Sequence, residues 1–437
     1  MVEDMMAIIH CFSCRLYGLR RYIQPIQENI DKNLDNPDNS PKVGSEVQIM
    51  VEIPMYAIKR ELKVNNTEAN CLDQCAGFSR FVYNYGLWMM KASWEFDHVK
   101  ASDSKRLNAI KKVFTNVTKK SAEFAWCNNY PSRIYQNAFR NLAKACSRWR
   151  DRLLKAQMPK FKKKRHQCSF TVDDCNGKRL LKAGKQINIP TLGWFSIIGG
   201  DPLQLYFPNL GLWPRYANTI SREAGKWFVS FKVDACPVPG MKHTHQKVGI
   251  DLGVKCFATL SDRTKIEKPE SIKKAKTKLS KLQWHNRKKV LGNGQTLTKP
   301  SQNALTYYAR LRKQHKHLAN IREDFLQKET TRLAQTYQEI KIEDLNVLGM
   351  LANHKLGSAI SLLGFHRFRE LLTYKQEFHG FKLTLVDRWF PSSKTCHKCG
   401  YKQNMPLKER VYICGGCGNV EDRDLNAAIN IEGWEPR

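Results

Sequence analysis

Two acidic residues stand in apolar surroundings where an uncompensated charge is costly. Asp251 lies in the middle of the stretch VGIDLGV, which has the composition of a buried strand. A carboxylate there needs a partner charge or a bound cation, and Gly249 and Gly253 leave room for a second group to approach the backbone. Glu343 ends the β-like run EIKIE, and taken alone it fits a surface acid better than a functional residue. Stretches similar to GIDLGV also occur in actin-type nucleotide-binding folds, so the first motif alone leaves the chemistry open.

A third carboxylate opens a predicted helix late in the sequence. Asp424, Ala427, Ala428 and Ile431 share one helical face, and the two alanines let that face lie close to a sheet. Asp424 can then reach a carboxylate on a central strand, whereas the alternative ligand, Asp422, suits the role of helix N-cap better. Three converging carboxylates can hold two Mg²⁺ ions about 4 Å apart, with Mn²⁺ as a substitute. That chemistry is hydrolysis of a phosphodiester bond by an activated water.

Four cysteines form two CxxC pairs, each followed by glycine. The cysteines are Cys396, Cys399, Cys414 and Cys417, and the glycines are Gly400 and Gly418. Two such turns point four thiolates at one centre, which is the arrangement of a structural Zn²⁺ site. An iron–sulfur cluster or free thiols are the alternatives. Four thiolates close the coordination sphere, so we expect the catalytic centre elsewhere, and we expect His397 at the surface rather than on the metal.

The chain is strongly basic, with 73 Lys and Arg against 40 Asp and Glu and a formal net charge of +33. This excess favours a polyanionic partner, and nucleic acid before a membrane surface. Candidate phosphate contacts fall on the predicted helix after Pro131, where an ordinary solvated face is the alternative, and in the run PKFKKKR at 159–165. These candidates are Arg140, Lys144, Arg148, Lys160, Lys162, Lys163, Lys164 and Arg165.

The same composition bears on location. No stretch is apolar enough to span a membrane, and the first residues do not have the pattern of a signal peptide. The cysteines fit a reducing compartment, where CxxC pairs bind metals more readily than they form disulfides. We therefore expect a cytoplasmic protein.

The hydrophobic patterns predict an α+β protein of several domains. Residues 1–50 are expected to form a flexible extension, because 33–45 is rich in Asn, Asp, Pro, Ser and Gly. Helical periodicity dominates 66–154, and alternating patterns at 51–65 and 155–240 predict a small β-barrel of the oligonucleotide-binding kind. Buried strands, a charged helical hairpin and an amphipathic helix are expected within 241–393. The cysteine module, 394–419, and a last helix within 420–432 complete the order.

Three local boundaries are also predicted. Asn66 or Thr67 is expected to cap the first helix, and the basic run at 159–165 to end a helix. A single amphipathic helix is expected over Ser358–Phe378.

Taken in order, the motifs GIDLGV, IEDLNVLGM and SSKTCHKCGY…CGGCG…EDRDLNAAINI resemble the TnpB family of transposon-encoded proteins, and also the miniature type V CRISPR nucleases. The resemblance covers about residues 55–432 and is looser in the first half. It implies an RNase H-like (RuvC) α/β nuclease domain with an inserted zinc ribbon, a wedge barrel and a helical recognition domain. It also implies that Asp251, Glu343 and Asp424 are catalytic, and that the partners are a guide RNA from the transposon end and a target DNA.

Two further functions remain as alternatives at this stage. A miniature CRISPR effector would share the chemistry and differ in its genomic context and its guide. A non-cleaving nucleic-acid-binding regulator would use the zinc ribbon alone, and the complete set of carboxylates argues against it. The resemblance further implies a prokaryotic, nucleoid-associated protein that is a monomer when bound to RNA, with no membrane partner.

Overall fold

The computed structural model describes most of the chain after residue 54. The described residues are 55–95, 101–154, 156–164, 168–173, 181–182, 186–189, 192–199, 218–234, 243–292, 299–353, 356–406 and 408–436. The predicted extension at 1–50 and the candidate Arg165 lie outside them. The chain divides into two compact units, one up to Asp234 and one from Ala235. Within the described residues, no helix combines the length and the hydrophobicity that crossing a bilayer requires.

Among the described residues of the first unit, three α-helices and two short 3₁₀ segments form a helical part. The α-helices are α1 (Asn66–Glu95), α2 (Asp103–Asn116) and α3 (Ser132–Arg150), and the 3₁₀ segments are Thr118–Lys120 and Ala122–Asn129. Gly86 of α1 lets α3 approach closely, because a Cβ at this position would lie 2.9 Å from atoms of Phe139 and Leu142. The predicted start of α3 after Pro131 is confirmed.

Two of the boundary predictions in this unit are wrong. The cap of α1 is Asn65, whose side chain accepts a hydrogen bond from the Glu68 amide at 2.8 Å, while Glu68 accepts one from the Asn65 amide at 2.8 Å. This reciprocal pair is a capping box, and it moves the cap one residue before the predicted Asn66. The run at 159–165 does not end a helix, because α3 ends at Arg150 and residues 156–163 have no regular secondary structure.

The strands of the first unit form one antiparallel sheet. They are β1 (Met55–Lys63), β2 (Cys168–Val172), β3 (Leu181–Lys182), β4 (Gln186–Ile189), β5 (Gly193–Ile197), β6 (Asn218–Glu223) and β7 (Lys226–Asp234). Their order is β2-β6-β7-β1-β5-β4-β3, so that β2 and β3 are the edge strands among the described residues. A tight turn joins β6 and β7, with positive φ at Ala224 and Gly225, 50° and 89°. Closure into a barrel stays a prediction.

The second unit is built around a mixed sheet of five strands. They are β8 (His245–Leu252), β9 (Ala258–Leu260), β10 (Lys265–Ile266), β11 (Tyr337–Glu343) and β12 (Lys382–Val386), in the order β10-β9-β8-β11-β12. β8, β11 and β12 run parallel, whereas β9 is antiparallel to both β8 and β10. A further pair, β13 (Val411–Ile413) and β14 (Val420–Asp422), is antiparallel.

Helices accompany this sheet. They are α4 (Glu270–His285), α5 (Gln302–Thr336), α6 (Val347–Ala352), α7 (Gly357–Leu363), α8 (Phe365–His379) and α9 (Arg423–Gly433). The prediction of one helix over Ser358–Phe378 is wrong, because Gly364 divides it into α7 and α8. Gly364 has φ of 72°, the left-handed conformation that ends a helix and that glycine adopts at least cost.

Candidate functional site

Two neighbouring parallel strands carry two of the predicted carboxylates on one face of the second sheet. Ile342 of β11 is paired with Ile250 of β8, and both are fully buried. Asp251 and Glu343 each follow one of these isoleucines. Since side chains alternate between the two faces of a strand, both carboxylates lie on the face opposite the isoleucines.

Helix α9 packs against that face and brings the third carboxylate, Asp424, in its first turn. The contact depends on Gly249, because a Cβ there would lie 2.1 Å from the carbonyl oxygen of Ala428 and 2.4 Å from the amide nitrogen of Glu432. Ala427 and Ala428 are buried, as the predicted close approach of this helical face requires. The space at Gly249 that the sequence indicated is therefore filled by a helix.

The three carboxylates are electrostatic neighbours. Burial, followed by the negative charges of Glu343 and Asp424, raises the pKa of Asp251 to about 8. Burial also raises the pKa of Glu343, against the effect of a hydrogen bond from Ser392. A proton or a cation is thus needed to offset the charge at neutral pH. The oxygens of the three carboxylates do not all lie within 4.8 Å of one another. In the described part of the chain, the four cysteine sulfurs are the group that does.

The two acids at the start of α9 differ in their roles. Asp422 is the N-cap, accepting hydrogen bonds from the amides of Asp424 at 2.9 Å and Leu425 at 3.3 Å, which confirms its predicted capping role. It also pairs with Lys265 at 2.8 Å. Although burial opposes the shift, these partners hold the pKa of Asp422 below its usual range. Asp424 is contacted by Arg410, with 3.4 Å between the guanidinium nitrogen and the carboxylate oxygen.

Ser392 is a site residue that the motifs did not reveal. Its hydroxyl donates to the Glu343 carboxylate at 2.6 Å, and its carbonyl accepts from the Asn430 side chain of α9 at 2.8 Å. Both contacts cross a large separation in sequence, so no local pattern marks them. Ser392 thereby connects the strand that carries Glu343 with the helix that carries Asp424.

The cysteine module is fixed to the same helix. The Asn426 side chain is fully buried and donates to the Thr395 carbonyl at 2.8 Å, while its oxygen accepts from the His397 amide at 3.1 Å. The His397 ring nitrogen Nδ1 lies 3.0 Å from that same oxygen. His397 is not among the four converging ligands, as predicted, but its side chain is partly buried against Asn426 rather than fully at the surface.

The four cysteine sulfurs converge as predicted, with all Sγ atoms within 4.8 Å of one another. Cys396 and Cys417 are 3.8 Å apart and Cys399 and Cys414 are 3.5 Å apart. A tetrahedron with Zn–S bonds of 2.3 Å has edges of about 3.8 Å, so the donor set fits Zn²⁺.

The backbone supports thiolate ligands at this centre. Gly400 and Gly418, with φ of 72° and 68°, close the two turns in the left-handed conformation. The amides of Cys417 and Gly416 point at the Cys414 sulfur and lower the pKa of that thiol, whereas, despite a backbone hydrogen bond that opposes the shift, hydrogen bonds with the neighbouring thiols raise the pKa of Cys399. A thiolate at neutral pH is the form that binds a metal.

The candidate phosphate contacts belong to the first unit. Lys144, Arg148, Lys160, Lys163 and Lys164 are exposed. Arg140 is also exposed but pairs with Asp173 at 2.7 Å. Lys162 is half-buried and packs within the first unit: its ammonium lies 4.0 Å from the centroid of the Tyr83 ring, and burial lowers its pKa.

Comparison with known proteins adds two family matches and several relatives. The OrfB_IS605 family, described as "Probable transposase", matches residues 230–354, and the Cas12f1-like TNB domain matches 365–431. A "Putative RNA-guided DNA endonuclease" of Streptomyces pristinaespiralis is 31% identical over 392 residues, which span 86% of this chain and 89% of that protein. The "Putative RNA-guided DNA endonuclease InsQ" of Escherichia coli strain K12 is 27% identical over 394 residues, 86% of this chain and 91% of that protein.

A solved structure shares the fold. The chain of the cryo-EM structure of a Cas12f1–sgRNA–target DNA complex superposes with a TM-score of 0.57 at 13% sequence identity, covering 84% of this chain and 83% of that one. This likeness establishes a mixed α+β fold of the Cas12f type. From the identity maintained over most of the Streptomyces relative, together with these matches, we conclude that the chain belongs to the TnpB family.

Proposed function

We propose that this protein is the RNA-guided DNA endonuclease of an insertion sequence and that it supports retention of the element. Membership of the TnpB family and the names of the two bacterial relatives support this function. The net charge of +33 supports two nucleic-acid partners, a guide RNA from the transposon end and a target DNA. The protein would act as a monomer on the guide RNA.

The domains are assigned as follows. A RuvC-type, RNase H-like nuclease domain comprises 241–393 and 420–432, with a zinc ribbon at 394–419 inserted between its two parts. A helical recognition domain comprises 66–154, and a wedge barrel comprises 51–65 and 155–240, after the extension at 1–50. The mixed five-stranded sheet, in which an antiparallel β8-β9-β10 set continues into parallel β11 and β12, supports the nuclease assignment.

One observation carries the catalytic assignment: the Asp251 carboxylate is buried on the sheet face and repelled by Glu343 and Asp424, a cost that a fold accepts for function. We assign these three residues as the catalytic carboxylates. Their oxygen-only donor set fits Mg²⁺ or Mn²⁺, and two such ions would activate a water and stabilise the leaving 3′ oxygen. Without a cation, the proton stays on the Asp251 carboxyl at neutral pH.

The chain's own residues set the geometry of this site. Gly249 allows α9 to lie against the sheet, and Asp422 fixes the first turn of that helix. Ser392 donates to Glu343 and so holds its carboxylate in one orientation. The zinc ribbon has a structural role, because its four thiolates leave no open coordination position for a substrate.

A miniature type V CRISPR effector is the second candidate. The Cas12f1-like domain at 365–431 and the shared fold favour it. A repeat array beside the gene would indicate a CRISPR locus, whereas a transposase gene and a guide transcribed from the element's end would indicate an insertion sequence.

The test is to express the protein together with its flanking DNA and to sequence the RNA that copurifies. We expect one discrete RNA, and cleavage of a DNA target complementary to its guide part in the presence of Mg²⁺. Asp251→Ala should abolish cleavage and leave RNA binding intact, whereas Asp324→Ala, which removes an exposed acid on α5, should leave both unchanged. Absence of an enriched RNA would contradict RNA guidance, and cleavage by Asp251→Ala would contradict the assigned site.

A further inference from the structure

The loop that follows β12 is attached to Glu343 at both of its ends. At one end, Val386 is paired with Glu343 in the parallel ladder between β12 and β11. At the other end, the Ser392 hydroxyl donates to the Glu343 carboxylate at 2.6 Å. The five intervening residues, 387–391, therefore lie beside the carboxylate site.

Trp389 stands at the middle of this loop with its side chain in solvent. The residue is 84% exposed, more than any other tryptophan in the described part of the chain. No ring contact or cation–π contact involves it among the described residues. Trp284, the next most exposed at 62%, is by contrast covered by Arg287, whose guanidinium lies 4.5 Å from the centroid of its ring.

The loop fixes the backbone that carries the indole, although no described residue covers the ring. The Trp389 amide donates to the Asp387 carboxylate at 2.7 Å, and the Phe390 amide donates to the Asp387 carbonyl at 2.9 Å. Arg388 forms an ion pair with Asp344, next to Glu343. An exposed aromatic ring on a braced turn is available to a flat partner, and the backbone beneath it has little conformational freedom left to lose on binding.

The position of the ring indicates what that partner is. Trp389 is three residues from Val386, so its Cα lies within about 11 Å of the strand neighbour of Glu343. A substrate phosphate at the carboxylates therefore places an adjacent base within reach of the indole. Arg388, which pairs with Asp344, and Lys394, two residues beyond Ser392, both have exposed side chains near the ring, and their charge favours a polyanionic chain over an apolar protein surface.

We propose that Trp389 stacks on an unpaired base of the DNA strand beside the scissile phosphate, and so holds single-stranded DNA in the nuclease site. Bases within a duplex are covered on both faces, so only an unpaired base offers the ring a free face. Stacking on an indole requires no particular base, which suits an enzyme whose sequence choice comes from base pairing with RNA. This inference rests on the proposed endonuclease function.

The first experiment measures cleavage of a single-stranded oligodeoxynucleotide that pairs with the guide and continues beyond it as an unpaired tail, by RNA-loaded protein with Mg²⁺. Trp389→Ala should raise KM about 5- to 150-fold, the range given by loss of one base–aromatic stack, while Trp389→Phe keeps most of the affinity. Trp284→Ala is the matched control and should leave KM unchanged. Equal KM values for Trp389→Ala and the control would overturn the proposal.

The second experiment separates this inference from the endonuclease function. The fluorescent base 2-aminopurine is placed in the same oligonucleotide beside the mapped cleavage position, or at successive positions if no cleavage position is mapped. The protein carries Asp251→Asn, which prevents cleavage. Stacking should quench the probe at one position, and adding Trp389→Ala should remove that quenching. Unchanged quenching in the double variant, or none in Asp251→Asn itself, would overturn stacking even if wild-type protein cleaves. Wild-type protein that fails to cleave would refute the endonuclease function, while the quenching would still decide on Trp389.

Discussion

The hydrogen bond from Ser392 to Glu343 offers a direct test of how the site is held. Ser392→Ala removes the hydroxyl that donates to the carboxylate at 2.6 Å. Ser392 is 6% exposed, so water does not readily take the place of the lost donor. The fold should tolerate the change, because the serine carbonyl that receives Asn430 is retained.

The expected magnitude follows from the charge on the acceptor. A hydrogen bond to a charged group contributes about 1.5–3 kcal/mol. Its loss should raise the pKa of Glu343 further, in addition to the increase that burial already causes. Since the ionised carboxylate is the form that binds a cation, Mg²⁺ affinity should fall about 10- to 100-fold.

The assay is cleavage rate against Mg²⁺ concentration at several pH values. Asp251 and Glu343 must both be ionised to bind a cation, so activity falls as the pH drops through the titration of this interacting pair, and Ser392→Ala should move this acidic limb to higher pH. The deficit should therefore be largest at low pH and low Mg²⁺ and should shrink when either is raised. Ser393→Ala, a change at the neighbouring serine, is the control. An unchanged acidic limb together with unchanged Mg²⁺ dependence would refute the reasoning.

Four other changes test the surrounding structure. Asp424→Asn should abolish cleavage with little change in melting temperature. Asp422→Ala should retain cleavage and lower the unfolding free energy by about 0.5–2 kcal/mol, because the helix loses its N-cap. Loss of cleavage in Asp422→Ala together with retained cleavage in Asp424→Asn would exchange the two roles. Gly249→Ala should lower the unfolding free energy by about 1–3 kcal/mol and reduce cleavage, because its Cβ would lie 2.1 Å from a carbonyl oxygen of α9. Gly433→Ala, on α9, is the control, because a Cβ at this position would have no atom within 4 Å. Equal melting temperatures for Gly249→Ala and Gly433→Ala would contradict the packing argument. Cys414→Ser should reduce bound zinc to near zero by atomic emission and lower the melting temperature, and retention of one zinc per chain would exclude this site.

Features that depend on local sequence were predictable. The strand that carries Asp251, the CxxC pairs and the capping role of Asp422 each follow from residues close together in the chain. The cap of α1 was missed by one residue, because the decisive contact is the reciprocal pair between Asn65 and Glu68 rather than the first polar residue of the helix.

Features that depend on distant contacts were not predictable. Ser392 and Glu343 are 49 residues apart, and His397 and Asn426 are 29 residues apart. A serine or an asparagine has the same local pattern at the surface as in a buried network. Gly364 divides a helix although glycine inside a helical pattern is often tolerated, and only its left-handed conformation decides the matter.

The contacts between the cysteine module and α9 have a thermodynamic consequence. The Thr395 carbonyl, next to Cys396, accepts from both Asn426 at 2.8 Å and Asn430 at 2.7 Å. These asparagines lie on the helix that carries Asp424, so the proposed binding of zinc by the ribbon and of a divalent cation by the carboxylates would depend on the same contacts. Linkage is reciprocal: if zinc tightens binding of a divalent cation by some factor, that cation tightens zinc by the same factor. The rate of zinc loss to a chelator is then a readout of occupancy at the carboxylates.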